Sequence, residues 1–95
     1  MNSVRWAKMS REDIARIDHH YRQIDPALAD QINERIVRAT GFLADLPLAG
    51  PATPRGDRRK WRVAHTPYVL FYRVAADHVR ILRVLHSAQE ITGRQ

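Results

Sequence analysis

Pro67-Tyr68-Val69-Leu70-Phe71-Tyr72-Arg73-Val74 is followed by Ala75-Ala76-Asp77 and, after His78, by Val79-Arg80-Ile81-Leu82-Arg83-Val84-Leu85. The two long runs are aromatic and β-branched and the link between them is short, so they predict a β-hairpin. Successive side chains of a strand point to opposite faces. Tyr68, Leu70, Tyr72 and Val74 therefore share one face, and Val69, Phe71 and Arg73 share the other. The first set is uniformly apolar and is expected against a core, with Arg73 on an open face. Arg83 is out of phase with Arg80 and His86, so a regular strand exposes only one of these sets. A bulge near His86 would blur that choice.

Upstream of the hairpin, Trp61 and Val63 alternate with Lys60 and Arg62, which predicts a strand with its basic pair on the open face. Thr66-Pro67 makes the turn. Pro47 to Asp57 holds three Pro and two Gly and reads as an exposed loop. Before it, Leu28, Ile32, Ile36, Ala39, Leu43 and Leu46 keep helical spacing, predicting a helix over Pro26 to Asp45. Asp25 suits its cap and Pro26 its first turn, while Gly41 inside it costs about 1 kcal/mol. Ile14, Ile17, Tyr21 and Ile24 repeat in the same way in an earlier helix. Ser10 is expected as its N-cap, with Glu12 and Asp13 in its first turn. The very short link between the helices predicts an antiparallel hairpin. Val4 to Trp6 predicts a short strand. The expected architecture is an α+β domain, β-α-α-β-β-β, with a helical hairpin packed on one face of a small, mostly antiparallel sheet. The 95 residues are expected to form one domain, with residues 86–95 as a polar C-terminal tail.

Composition narrows the function classes. At 44% hydrophobic the chain can bury one modest core and is not a disordered tail. With no Cys it has neither a disulfide scaffold nor thiolate metal sites, which fits a reducing compartment. No apolar run approaches the roughly 18 residues of a membrane span, and Met1 to Ser10 lacks the apolar stretch of a secretory signal. No membrane association is expected. The net charge is +6. Residues 1–47 hold seven basic and seven acidic side chains, whereas residues 48–95 hold nine basic and three acidic. The whole excess lies in the second half, with Arg55, Arg58, Arg59, Lys60 and Arg62 clustered against Asp57 alone. Guanidinium groups pair bidentately with phosphate and carboxylate, so a polyanion or an acidic protein is the natural partner. A solvated basic surface is the plainer alternative.

No spacing in the chain matches a standard catalytic or phosphate-loop motif. His19 and His20 are adjacent and diverge by about 100° around a helix, so they do not chelate one metal as a pair. No metal and no cofactor is expected. His65 beside a turn reads as a surface residue. His86, at a strand end, is either a proton donor or acceptor near neutral pH or a residue bonded to nearby backbone. Arg62, Arg73 and Arg83 would, on one face, either hold a phosphate and stabilise transition-state charge or dock an acidic partner. Tyr68, Tyr72 and Trp61 read as core.

Two helices, a Pro/Gly loop, then Pro67 to Val74 and Ile81 to Glu90 resemble the RelE/ParE toxin superfamily over nearly the whole chain, from about Val4 to Glu90. The segment ending in Arg83-Val84-Leu85-His86 is the most specific part. Short members of this family are the toxins of bacterial type II toxin–antitoxin modules, so the resemblance implies a cytoplasmic growth inhibitor neutralised by a cognate antitoxin. RelE-like members cleave ribosome-bound mRNA without a metal, using basic residues of the open sheet face and often a terminal Tyr or a His. ParE-like members poison DNA gyrase and serve in plasmid stabilisation.

On the RelE-like reading, Lys60, Arg62, Arg73 and His86 would act: Arg62 and Arg73 on the scissile phosphate, His86 on a proton. Against it, Val69 stands where those nucleases carry a catalytic Arg, Gln89 falls near the position of another, and no Tyr follows His86. The Ile81 to Glu90 segment is closer to ParE-like members. The resemblance therefore favours a gyrase-directed toxin, with a ribosome-dependent mRNA endoribonuclease and a non-toxic family member as alternatives. Arg58, Arg59, Lys60, Arg62, Arg73, Arg83 and His86 are the candidates for contact with target or antitoxin. The antitoxin is expected to bring an apolar helix or an added strand, with acidic residues meeting Arg73 and Arg83.

Overall fold

The structure, a computed structural model, describes residues 3–92. Its elements are β1 (Ser3–Trp6), α1 (Lys8–Ile24), α2 (Pro26–Asp45), β2 (Arg59–Arg62), β3 (Tyr68–Val74), β4 (His78–His86) and α3 (Ser87–Thr92). The sheet order is β1-β4-β3-β2, with β1 parallel to β4 and the other pairs antiparallel. This is the expected α+β architecture with one addition. The stretch read as a polar tail begins with a helical turn, and residues 93–95 lie outside the described residues. The turn forms because local bonds hold its start: Ser87 N–H donates to the Pro67 carbonyl, Ala88 N–H to His86 Nδ1, and His86 N–H to Gln89 Oε1.

The helical hairpin follows from one residue. Asp25 is extended, and its carboxylate accepts the Ala27 N–H at 3.0 Å, capping α2 while Pro26 opens it. Asp18 accepts from Arg22 and from Asn33 across the hairpin, and Arg22 also reaches Asp30. These pairings run in opposite chain directions, as an antiparallel hairpin requires. The start of α1 departs from expectation. The helix begins two residues before Ser10, at Lys8, and Ala7 occupies the cap position without a side-chain bond. Ser10 is instead buried in the first turn and donates to the Ala7 carbonyl at 2.7 Å, which places Glu12 and Asp13 beyond that turn. Ile24, expected on the apolar face, is largely exposed at the hairpin tip.

The core lies between the helices and one sheet face. Ile17, Ile32, Ile36, Ala39 and Leu43 meet Tyr68, Leu70, Tyr72, Val79, Ile81 and Val84. Val4, Trp6, Trp61 and Val74 pack at its margin, Trp61 stacked on Phe42 with ring centroids 5.1 Å apart. The loop from Pro47 is not wholly exposed. Gly50 is buried and donates its N–H to the Tyr72 hydroxyl, which in turn donates to the Pro47 carbonyl at 2.7 Å. A Cβ at Gly50 would collide with the Lys60 carbonyl and the Tyr72 ring, so only glycine permits this approach. Lys60 N–H donates to the Pro51 carbonyl, so the loop covers part of the outer edge of β2.

The irregularity in β4 lies at Leu82, not near His86. Tyr72 faces Ile81 and Phe71 faces Arg83, leaving Leu82 as an extra residue. The bulge breaks the alternation once. Val79 and Ile81 before it, and Val84 after it, all reach the core.

Candidate functional site

The helices cover one face of the sheet, and the other face carries the cations. Lys60 is opposite Phe71 and Arg62 opposite Val69, so both basic residues share the open face with Arg73, as the alternation predicts. Arg62 is exposed and Lys60 half-buried, and together with Pro51, Trp61 and Val69 they line a shallow open groove beside β2. Val69 is buried to 1% exposure at this position, so an apolar side chain stands between the basic groups. Arg73 ends four residues further along β3, where Asp57 lies 3.4 Å from its Nη1.

Three of the expected residues are engaged in the fold. Arg59 donates Nη1 to the Gly50 carbonyl at 2.7 Å and so fixes the loop. Arg58 is half-buried, with its backbone carbonyl accepting from Thr53 and its Nε buried without a hydrogen-bond partner among the described residues. Arg83 does not converge with Arg62 and Arg73, because its Nε and Nη2 bond both oxygens of Asp13 at 2.8 and 3.0 Å. That carboxylate also accepts the Val84 N–H at 2.9 Å. β1 ends at Trp6, opposite Ile81, so beyond it the edge of β4 has no strand partner, and Asp13 of α1 satisfies the bare amide. Burial pushes the Asp13 carboxyl up, but the bonds from Arg83, the Val84 amide and Arg16 outweigh it and hold the group below its ordinary value.

His86 lies on the other side of the sheet. Its strand partner is Tyr68, and its ring meets the Tyr68 ring edge-on at 5.7 Å. Tyr68 is in the core, and its hydroxyl contacts that of Tyr21 on α1 at 3.4 Å. Burial first, and then the Tyr21 hydroxyl, push the Tyr68 phenol well above its usual range. His86 Nδ1 is occupied by the Ala88 amide. The bulge at Leu82 thus leaves His86 on the helix face, while Lys60, Arg62 and Arg73 occupy the open one.

Arg5 escaped the sequence reading, and the face of Arg80 was left open by it. Arg5 of β1 pairs with Arg80 of β4, and Arg80 pairs with Arg73 of β3, so three guanidinium groups lie in one row across the open face. Alternation places Arg80 on a face only once the strand register and the bulge are known, and β1 is too short to reveal its neighbour. Among the described residues no three His, Asp or Glu come together as a metal-binding group. Among the described residues no helix is long and apolar enough to cross a membrane.

The chain superposes on a chain of the chromosomal ParDE toxin–antitoxin system of P. aeruginosa with a TM-score of 0.79 and 24% identity, covering 90% of this chain and 96% of that one. A chain of the RelBE2 toxin–antitoxin complex of Mycobacterium tuberculosis matches with a TM-score of 0.61 and 26% identity, over 90% and 96% of the two chains. In sequence, "Putative toxin Y4kP" of Sinorhizobium fredii is 30% identical over 87 residues, 92% of this chain and 90% of the relative. The family model of the ParE toxin of the type II toxin–antitoxin system parDE matches residues 4–91. The chain belongs to the ParE toxin family.

Proposed function

We propose that the protein arrests bacterial growth by acting on DNA gyrase in the cytoplasm and that a cognate antitoxin neutralises it. Family membership supports the toxin class. The solved relatives come from toxin–antitoxin systems, which supports an antitoxin partner. The observation that carries the choice of target is the division of groups between the two sheet faces. A metal-free ribonuclease needs a proton-transfer group and phosphate-holding cations around one scissile bond. Here His86 stands beside Tyr68 on the helix face, while Lys60 and Arg62 stand with Phe71 and Val69 on the open face. Val69 occupies the strand position where the RelE-like resemblance calls for an arginine. With the imidazole on the opposite face from Lys60, Arg62 and Arg73, the open face suits docking rather than cleavage.

Induced expression in bacteria tests the reading. Following thymidine and methionine incorporation, DNA synthesis is expected to fall first, with growth restored by co-expression of the antitoxin. Protein synthesis failing first, with cleaved mRNA, would assign the RelE-like activity. Unaffected growth would assign a non-toxic family member.

A further inference from the structure

The row Arg5–Arg80–Arg73 has no structural explanation in the fold. Side chains directly opposite on neighbouring strands lie about 5 Å apart, and like charges in that relation are destabilising. The sheet nonetheless aligns three arginines across three consecutive strands. The nearby carboxylates sit at the two ends of the row. Asp57 pairs with Arg73, and Asp77, bonded at 2.9 Å by the His78 ring, lies within electrostatic reach of Arg5. Both are well exposed. Arg80, in the middle and half-buried, has no carboxylate within ion-pair distance among the described residues. Lys60 and Arg62 extend the strip along β2, with the half-buried Phe71 between them and the row. From Arg73 to Val69 the strip runs about 13 Å along β3, at the usual strand rise of about 3.3 Å per residue.

We infer that this strip binds the phosphodiester backbone of a nucleic acid, with the guanidinium forks of Arg5, Arg80 and Arg73 on its phosphates. Arginine forks match phosphate oxygens, and cations interleaved with an aromatic ring are the pattern of surfaces that track a nucleic-acid strand. The distribution of apolar surface argues against a protein occupant. The large exposed apolar side chains among the described residues, Met9, Ile24, Val37, Phe42, Leu46 and Leu48, all belong to α1, α2 and the loop after α2. A protein seated on the row would lack the apolar anchors that dominate protein interfaces. A phosphate backbone needs none.

The test is the salt dependence of binding to a fluorescein-labelled single-stranded oligonucleotide, followed by anisotropy between about 50 and about 200 mM salt. Each lost phosphate contact flattens the slope of log affinity on log salt by about 0.7. The triple variant Arg5→Gln/Arg73→Gln/Arg80→Gln is expected to bind with a slope about 2 shallower than the unaltered protein. The control variant Lys8→Gln/Arg11→Gln/Arg38→Gln removes the same charge from exposed helix positions and is expected to keep the slope, with circular dichroism confirming that both fold. An unchanged slope in the row variant, or an equal loss in the control, would overturn the inference. So would displacement of the oligonucleotide by poly-glutamate at matched charge, which would assign the row to an acidic protein segment. The assay contains no gyrase. A negative result here beside intact gyrase inhibition rejects the strip alone, and the converse rejects the target alone.

Discussion

Asp13 joins three parts of the molecule through one carboxylate: the Arg83 fork, the bare Val84 amide and Arg16 on its own helix. It is 1% exposed, so removing its charge leaves Arg83 facing a neutral, buried partner. Asp13→Asn is expected to cost about 3 kcal/mol in a urea titration at neutral pH, the scale for breaking a buried pair. The folded carboxyl titrates below its ordinary value of 3.8, so its contribution is fully present above that pH and is lost as pH falls through the lower, folded value. The unaltered protein should therefore lose stability more steeply below about pH 4 than Asp13→Asn does. Arg83→Glu would place two carboxylates together and is expected to destabilise the fold at least as much as Asp13→Asn in the same titration. Tyr72→Phe removes the hydroxyl that joins the Gly50 amide to the Pro47 carbonyl and should cost about 1 to 3 kcal/mol. Gly50→Ala should cost at least as much, through the collision with the Lys60 carbonyl.

At the scale of elements, the α1–α2 hairpin depends on a single linking residue. Asp25→Ala is expected to cost about 1 kcal/mol in thermal unfolding, the usual worth of an N-cap. At Asp18 the ion pair with Arg22 is exposed and contributes little, so the cost of Asp18→Ala should come mainly from the half-buried Asn33 amide and amount to about 1 kcal/mol. Both α2 and β3 were legible in the sequence to the residue. Apolar residues at steps of three and four mark α2, and an unbroken alternation marks β3. Two features were not. The bulge at Leu82 decides that Arg80 pairs with Arg73 and that His86 pairs with Tyr68, yet a run of Val, Ile, Leu and Arg reads equally well in either phase. The turn of α3 rests on bonds from Pro67 and His86, contacts that exist only once β3 and β4 are paired. Arg83 appeared as a surface cation because its partner lies 70 residues away on another element.

For the whole molecule, the helices of the neutral first half cover one face of the sheet, and part of the second half's positive charge lies on the other. The helices supply the core and most of the acidic groups, and they also contribute Asp13 to lock the bare edge of β4. Of the second half's cations, Lys60, Arg62, Arg73 and Arg80 lie on the open face, where Arg5 of the neutral half joins them through the parallel β1–β4 pair. His86 stands on the helix face, beside Tyr68 and away from the cations of the open face.

The central claim is a gyrase-directed action, and it is tested most directly by adding the purified protein to DNA gyrase and relaxed plasmid. Supercoiling should be inhibited with accumulation of cleaved plasmid, and the cognate antitoxin should reverse both. Full gyrase activity, with ribosome-bound mRNA cut by the same preparation, would contradict it.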